Sequence, residues 1–254
     1  MIAGWRERGL TRAVVVEPAR AAIAGLGLPA SIAVVDDAAA VPGDFTPDVV
    51  VLAVKPQVMD AVVPPYRRFA EAGAPIVSIA AGKTLAYLGR QLGERAAVIR
   101  VMPNLPASIG RGISVAVANA HTPAAGRDLA EALLSACGEV AWVEDEALLD
   151  AVTALSGGGP AYVFLLVEAL AEAGIACGLP PALARRLARV TVAGSGELIR
   201  ESTEDVATLR QNVTSPGGTT LEALKVLMAA DGIQPIFARA LAAATRRSRE
   251  LSGS

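Results

Sequence analysis

The sequence predicts an α/β doubly wound domain followed by an all-helical domain. Over residues 1–143, short apolar runs rich in valine and isoleucine alternate with segments of helical spacing, a pattern typical of parallel strands joined by helices. From residue 144 onward, leucine and alanine recur at helical spacing and runs of β-branched residues become scarce. We therefore predict two domains, with bounds 1–143 and 144–254.

The order of the elements supports this fold class. Six short apolar runs have the composition of buried strands, at 13–16, 48–54, 75–80, 97–102, 112–118 and 139–143. Helical segments separate them at 18–27, 57–72, 84–93 and 123–137. In the second domain we predict helices at about 145–154, 160–177, 180–201, 203–212, 219–231 and 233–250.

Composition excludes several classes of protein. With 254 residues and 53% hydrophobic content, the chain can bury a large core, and its net charge of −2 favours neither nucleic acid nor an anionic membrane as a partner. Cys137 and Cys177 lie in apolar helical patterns typical of reduced core cysteines, and the single histidine, His121, leaves no metal-ligand cluster. Glu168 and Glu172 interrupt the longest apolar run, so we expect no membrane span and a cytoplasmic protein.

The first residues depart from the usual order of a dinucleotide-binding fold. Such a fold opens with a strand, a glycine-rich turn and a helix whose N-terminus binds a pyrophosphate. Residues 1–10 instead have the character of the second half of that helix, ending near Gly9. No Gly-x-Gly-x-x-Gly stands between a predicted strand and a helix, so we expect the first strand and the glycine-rich loop to be missing.

Turns that follow the predicted strands supply candidate contacts to a dinucleotide, because ligands bind outside the carboxyl ends of strands in doubly wound sheets. The turn Ala53-Val54-Lys55-Pro56 closes one strand, and its position favours a cofactor contact for Lys55 over the alternative of a solvated loop lysine. The segment Ala80-Ala81-Gly82 closes the next strand, and its small side chains would let a ligand approach the backbone.

Glu17 and Asn104 follow two other predicted strands. An acidic residue at the position of Glu17 usually accepts a hydrogen bond from the adenosine ribose and repels a 2′-phosphate, which favours NAD. Arg20 could instead accommodate that phosphate, and an exposed glutamate at a helix start is a further interpretation of Glu17. Asn104 lies in a rigid turn between two prolines, where a structural role and a ligand contact are equally compatible with the sequence.

Two glycine-rich helix starts lie in the second domain. The segment Ser156-Gly157-Gly158-Gly159-Pro160 bends the chain before a long helix and forms either a helix start alone or the floor of a small-molecule site. The segment Gly217-Gly218-Thr219-Thr220 precedes another helix, and Thr219 and Glu222 have the spacing of a capping box. The amides and the dipole of such a helix start suit a small carboxylate.

Together these segments resemble the pyrroline-5-carboxylate reductase family. The matching stretches follow the family's order and extend over essentially the whole chain, at Ala53–Gln57, Ser78–Gly82, Arg100–Ala107, Asp150–Phe164 and Val213–Thr220. The resemblance implies a Rossmann-type domain, N-terminally incomplete here, and an all-helical dimerisation domain that forms a homodimer or a larger ring of dimers. It implies an oxidoreductase that reduces L-1-pyrroline-5-carboxylate, a cyclic imine carboxylate, to L-proline with NADP or NAD as cofactor, in the final step of proline biosynthesis.

The resemblance also implies the roles of individual residues. Gly217, Gly218 and Thr219 match a carboxylate-binding loop, and Thr220 matches a threonine near the imine nitrogen, the candidate catalytic residue. The segment Ser156-Gly157-Gly158 matches a region near the substrate and the nicotinamide, and the turns at 53–56 and 80–82 match cofactor contacts. No metal is implied.

Three departures from the family accompany the match. Gly158 stands where serine is usual, and Leu105 stands where threonine is common. The third departure is the missing phosphate loop, which predicts weak or absent cofactor binding by the 254 residues. Two alternatives remain open at this point. One is a cofactor-deficient oligomerising paralogue or a truncated inactive form. The other is a reductase of the 3-hydroxyacid dehydrogenase type, which the absence of lysine from the predicted helix 160–177 disfavours.

Overall fold

The computed structural model describes residues 2–7 and 9–253, and these form two compact units. The first unit takes in the chain up to Gly157 together with the C-terminal segment from Thr245, and the second spans Gly158–Ala244. The change of composition near residue 143 precedes this division because the short helix that follows still belongs to the core of the first unit: its Leu149 is fully buried beside Val115 and Val117.

Among the described residues, the first unit contains two separate β-sheets. Strands β1 (Ala13–Val16) and β2 (Ile32–Val35) form a parallel pair. The larger sheet has the order β3-β4-β5-β6-β7, with strands at Val50–Leu52, Ile76–Ser78, Val98–Met102, Gly112–Ala118 and Gly138–Trp142. All its neighbours are parallel except β5 and β6, which are antiparallel.

Helices cover both faces of the larger sheet, as the sequence predicted. Adjacent residues of a strand point to opposite faces, so Ile76 and Val98 join one buried cluster while Val77 and Ile99 join another. The helices and short turns of this unit are α1 (Ile2–Glu7), α2 (Met59–Val62), α3 (Arg67–Glu71), α4 (Leu85–Leu92), α5 (Ala124–Ser135) and α6 (Leu148–Val152), followed by a π-turn at Thr153–Gly157.

The strand predictions were confirmed in position, but three local predictions were wrong. Strand β2 was missed, because a run of four residues between Ser31 and Asp36 gives only a weak signal. The segment predicted as a helix at 18–27 forms two short 3₁₀ turns and ends at Gly27, whose φ of 53° is left-handed. The segment predicted as one helix at 57–72 is broken near Pro64, since a proline inside a helix removes an amide donor.

The second unit is helical and leaves much of its apolar surface exposed. It contains α7 (Gly159–Ala176), α8 (Pro181–Glu201), α9 (Val206–Asn212), α10 (Thr219–Leu227) and most of α11 (Ile233–Ser252). Helices α7 and α8 pack through small residues: a Cβ on Gly174 would lie 3.4 Å from the Cβ of Ala184, and Ala171 and Ala188 are buried. Large side chains such as Leu165 and Val190 remain 63% exposed in the single chain.

The structure also tests the predictions for the two cysteines and for a membrane span. Cys137 is buried as predicted, but Cys177 is exposed, and both are free thiols. Among the described residues, the helical stretch Leu148–Ala176 is long and apolar enough to span a bilayer by length and composition, so the expectation that Glu168 and Glu172 rule this out was wrong. Two charges do not offset the strongly apolar residues around them.

Candidate active site

The candidate cofactor turns lie at one edge of the larger sheet. Strands β3, β4 and β5 are parallel neighbours, so their carboxyl ends lie side by side, and the turns at 53–56, at 80–82 and at Asn104 follow these ends in that order. Ala53 and Lys55 are exposed, Val54 and Pro56 are half-buried, and Ala81 is exposed. Ala80 is buried in the core, so only its backbone could face a ligand.

Gly82 occupies a position that favours glycine. Its φ of 72° is left-handed, and a Cβ placed on it would lie 3.3 Å from the carbonyl oxygen of Leu251 near the end of α11. The chain itself therefore approaches this glycine on one side. The C-terminal segment is held there by Ser248, whose Oγ donates to Oδ1 of Asp150 at 2.6 Å, with both side chains buried.

Asn104 lies at the carboxyl edge of the larger sheet and also makes a hydrogen bond within the fold. Its Oδ1 accepts a hydrogen bond of 3.0 Å from the amide of Ile113, which fixes the start of β6. Leu105, which stands where the resemblance leads one to expect threonine, is the next residue and is largely exposed. The structural role that the sequence left open for Asn104 is therefore present, and its amide nitrogen still extends the set of donors at this edge.

The glycine-rich segment before α7 packs against the end of β5. Ser156 lies in the π-turn and its Oγ donates to the carbonyl of Val152 at 3.0 Å. A Cβ on Gly157 would overlap the Cε of Met102, so that side chain would have to move to admit an alanine. Since Met102 ends β5, this packing brings Ser156 and Gly157 next to the strand that leads to Asn104.

The start of α10 is built differently from the predicted capping box. The N-cap is Gly218, no side chain caps the helix, and Glu222 instead accepts a hydrogen bond of 2.7 Å from Nζ of Lys225. Gly217, with a φ of 70°, turns the chain into the helix. The amides of Leu221 and Glu222 donate to the carbonyl of Gly218, and the amide of Gly218 donates to the carbonyl of Ser215. Among the described hydrogen bonds, none engages the amides of Thr219 and Thr220, the donors that a helix start offers to an anion.

The predicted site residues thus fall into two groups, one in each unit. Glu17, the three cofactor turns, Ser156 and Gly157 belong to the first unit, whereas Gly158 and the helix start at 217–220 belong to the second. Thr219 and Thr220 are exposed.

Sequence reasoning missed a partly buried ion pair between β5 and the segment that follows β7. Nη1 of Arg100, in β5, lies 2.7 Å from Oε1 of Glu146, and the same oxygen accepts a hydrogen bond of 2.8 Å from the amide of Leu85 at the start of α4. Arg100 is almost fully buried. An arginine inside an otherwise apolar strand was the available signal, but nothing in the sequence indicated its partner.

A second missed cluster lies beside two of the turns. The hydroxyl of Tyr87 donates to Oδ1 of Asp60 at 2.6 Å, and Nζ of Lys83, the residue after Gly82, lies 4.2 Å from the centre of the Tyr87 ring. Burial and the neighbouring Asp60 raise the pKa of Tyr87 to about 12. This phenol is therefore neutral at physiological pH.

The C-terminal part of the chain matches a known family. Residues 146–251 match the family described as pyrroline-5-carboxylate reductase dimerisation. The chain is 46% identical over 205 residues to a pyrroline-5-carboxylate reductase of Pseudomonas aeruginosa, a match that covers 81% of this chain and 75% of that protein. The chain belongs to the pyrroline-5-carboxylate reductase family.

Other members of the family agree. A pyrroline-5-carboxylate reductase of a Synechocystis strain is 44% identical over 205 residues, covering 80% of this chain and 75% of its own length. The solved reductase of Coxiella burnetii is 33% identical, with a TM-score of 0.84 over 96% of this chain and 99% of that one. The Plasmodium falciparum enzyme, solved with NADP bound, has a TM-score of 0.76 at 24% identity, which shows the shared fold.

Membership confirms the main predictions from sequence. The chain is an NAD(P)H-dependent oxidoreductase of proline biosynthesis, with a Rossmann-like sheet-and-helix domain and a helical dimerisation domain. The comparisons support neither the 3-hydroxyacid dehydrogenase alternative nor a non-catalytic or truncated inactive form.

The described residues fit the two ends of this cofactor. Three parallel strands bring backbone turns and the donor Asn104 to one edge, where they would hold the nicotinamide end. At the adenosine end, the carboxylate of Glu17 follows β1, where a ribose hydroxyl can donate to it. Between these ends, the described residues contain no Gly-x-Gly-x-x-Gly segment between a strand and a helix.

Proposed function

We propose specific roles for the described residues in the reaction of the family, the reduction of L-1-pyrroline-5-carboxylate to L-proline with NADPH or NADH. The observation that carries the proposal is the uncapped start of α10. This nine-residue helix follows two glycines, begins with two exposed threonines and has no side-chain cap on its first amides, which are the features of a binding site for a small anion.

The substrate carboxylate binds this helix start. Gly217 and Gly218 bring the backbone close to the ligand because they carry no side chains, and the amide of Thr219 is among the donors. The positive end of the helix dipole adds to the attraction. Binding the carboxylate fixes the orientation of the ring to which it is attached.

The hydroxyl of Thr220 acts at the imine nitrogen. As the second residue of α10, it lies on the first turn of the helix that holds the carboxylate, and in the substrate the carboxylate and the imine nitrogen are separated by one carbon. The hydroxyl oxygen can accept a hydrogen bond from the N–H of the protonated imine, which stabilises this electrophilic form, and the hydroxyl can relay a proton to the nitrogen of the neutral imine.

We also assign Ser156, Gly157 and Gly158 to substrate binding. The π-turn holds the Ser156 hydroxyl against its own backbone, and the lack of side chains on the two glycines leaves room for a ring of the size of proline. Bound NAD(P)H supplies the hydride. Because a protonated imine is already electrophilic, the protein contributes mainly by positioning it and by excluding water.

The cofactor contacts are the carboxyl-edge residues of the first unit. We assign them to Ala53, Val54, Lys55 and Pro56, to Ala80, Ala81 and Gly82, and to Asn104 and Glu17. Lys55 is exposed and can contact the phosphates, while the small residues at 80–82 contribute backbone groups.

The assembly is a homodimer or a larger ring of dimers in the cytoplasm. The exposed apolar residues of α7 and α8 lie within the stretch that matches the dimerisation family, so a second copy of the chain covers them. This assignment also explains the long apolar stretch Leu148–Ala176 without a membrane.

The experiment that tests the proposal is a steady-state assay of the purified chain. L-1-pyrroline-5-carboxylate is supplied with NADH or NADPH at concentrations up to several times the dissociation constant measured for each nucleotide, because the described residues lack a glycine-rich phosphate loop and we expect weak cofactor binding. Both nucleotide oxidation and L-proline are measured. We expect L-proline to form in equal amount to the oxidised nucleotide. Absence of L-proline with both nucleotides, from a folded and dimeric chain, would refute the proposal.

A further inference from the structure

The adenosine end of the cofactor site is surrounded by four charged residues. Strands β1 and β2 are parallel, with Val16 opposite Val35, and the amide of Glu17 donates to the carbonyl of Val35 at 2.9 Å. The carboxyl ends of both strands therefore lie side by side. The charged residues that follow them are Glu17, Arg20, Asp36 and Asp37.

The one cation of this group is already engaged. Nε of Arg20 donates to Oδ1 of Asp36 at 2.5 Å, and its Nη2 donates to the carbonyl of Val34 at 3.3 Å. This hydrogen bond from Arg20 holds the pKa of the Asp36 carboxyl below its ordinary value, so Asp36 is ionised at neutral pH. The pair leaves Arg20 with a much reduced capacity to bind a second anion.

The other two carboxylates are held in place by backbone donors. Oε1 of Glu17 accepts from the amide of Ala19 at 2.8 Å, and Oδ1 of Asp37 accepts from the amide of Ala39 at 2.7 Å. Among the charged residues that follow the two strands, three carboxylates therefore stand against one guanidinium. A further cation near Asp37, Arg68, donates from its Nη2 to the carbonyls of Ala38 and Val41. A ribose hydroxyl can donate a hydrogen bond to such a site, whereas a 2′-phosphate brings a charge of about −1.5 to −2 into it.

We propose that the chain prefers NADH to NADPH, and that Asp36 sets this preference by occupying Arg20. The inference rests on the proposed function, because it assumes that the cofactor binds at this edge. It also resolves the two interpretations that the sequence left open for Glu17 and Arg20. The arginine that could have received a 2′-phosphate is neutralised by an aspartate that follows the strand missed in the sequence.

Binding experiments separate the adenosine end from turnover. Dissociation constants are measured for NADH and NADPH by cofactor fluorescence, and for 5′-ADP and 2′,5′-ADP by calorimetry. We expect NADH and 5′-ADP to bind about tenfold more tightly than their 2′-phosphorylated counterparts, since several exposed charges act together and salt screens each of them. The difference should shrink as ionic strength rises.

Variants test the role of Asp36. Asp36→Ala should free Arg20 and strengthen NADPH and 2′,5′-ADP binding about tenfold, with little change for NADH. Asp36→Asn, which keeps an acceptor but removes the charge, should give a smaller gain. Adding Arg20→Ala to Asp36→Ala should abolish the gain. Asp128→Asn, an exposed aspartate on α5, controls for net charge and should leave the ratio unchanged.

The outcomes distinguish this inference from the function on which it rests. Equal or tighter binding of NADPH by the unaltered chain would overturn the inference, while L-proline formation with NADPH would leave the proposed function standing. An unchanged ratio in folded Asp36→Ala would overturn the role of Asp36. If neither nucleotide binds and no imine is reduced, the proposed function fails and the inference fails with it.

Discussion

Thr220 is the single residue on which we expect the chemistry to depend most, and its surroundings show what sequence reasoning can and cannot supply. Two glycines before two threonines correctly predicted a helix that starts at 219. The capping box was wrong, because Glu222 is paired with Lys225 and no side chain caps the helix. An anion site requires free amides, so the absence of a side-chain cap supports the proposed binding role of this helix start.

Replacing Thr220 by alanine should lower kcat about 10- to 100-fold, which is at or below the lower end of the range for a positioned proton donor, because the imine is already activated. Thr220→Ser should recover most of the rate. The measurement is steady-state kinetics, with circular dichroism to verify folding. Thr203→Ala, an exposed threonine in the same unit, is the control. Equal kcat in Thr220→Ala and the unaltered chain would show that the hydroxyl is dispensable.

At the scale of elements, Glu146 joins β5 to the start of α4, because its Oε1 pairs with the buried Arg100 and accepts from the amide of Leu85. Strand β5 and helix α4 were predicted from apolar spacing alone. The ion pair was not predicted, because its two residues are far apart in sequence and periodicity indicates which residues are buried but not which residues they contact. Strand β2 was not predicted, and the break in the helix predicted at 57–72 was not expected, for a related reason. Local composition does not reveal a neighbouring strand, and two prolines override a helical pattern.

Glu146→Ala should lower the free energy of unfolding by about 3–5 kcal/mol, because it leaves the Arg100 guanidinium buried without a counter-charge. Urea unfolding followed by circular dichroism measures this change. Glu144→Ala removes the partner of Arg127, in an exposed pair 3.5 Å apart, and should cost less than about 1 kcal/mol. Similar losses in the two variants would contradict the importance of burial.

The contact of Tyr87 with Asp60 should make the stability of the α4 region depend on alkaline pH. The pKa of Tyr87 is raised to about 12 in the folded chain, above its ordinary value near 10. The unfolded chain therefore loses this proton first, so the contribution to stability is complete below pH 10 and decreases between about pH 10 and 12. Urea unfolding at several alkaline pH values should show a weaker decrease in Tyr87→Phe, and parallel decreases would contradict the assignment.

At the scale of the whole molecule, the exposed apolar surface of the helical unit predicts the assembly. Leucine and alanine at helical spacing predicted helices correctly, but a single sequence does not say whether an apolar face meets its own core or another copy. The small buried set of α7 and α8 contrasts with the many large side chains left exposed. The match to a dimerisation family identifies what covers them.

Leu165→Glu should shift the chain from dimer to monomer or to aggregate, because it places a charge in an apolar contact. Sedimentation velocity at micromolar concentration measures the change. Leu26→Glu alters another exposed leucine, 47% exposed in the first unit, and should leave the assembly intact. A dimer of unaltered stability in Leu165→Glu would place the interface elsewhere.

The hydrogen bond between Ser248 and Asp150 decides how this chain can be cut and recombined. One continuous helix, α11, begins in the second unit and ends in the first, where it supplies a hydroxyl to a buried carboxylate and a backbone neighbour to Gly82. A fragment that stops at Gly157 would lose both. A chimaera that borrows the helical unit of a relative should therefore exchange residues 158–244 and keep the recipient's own last turns.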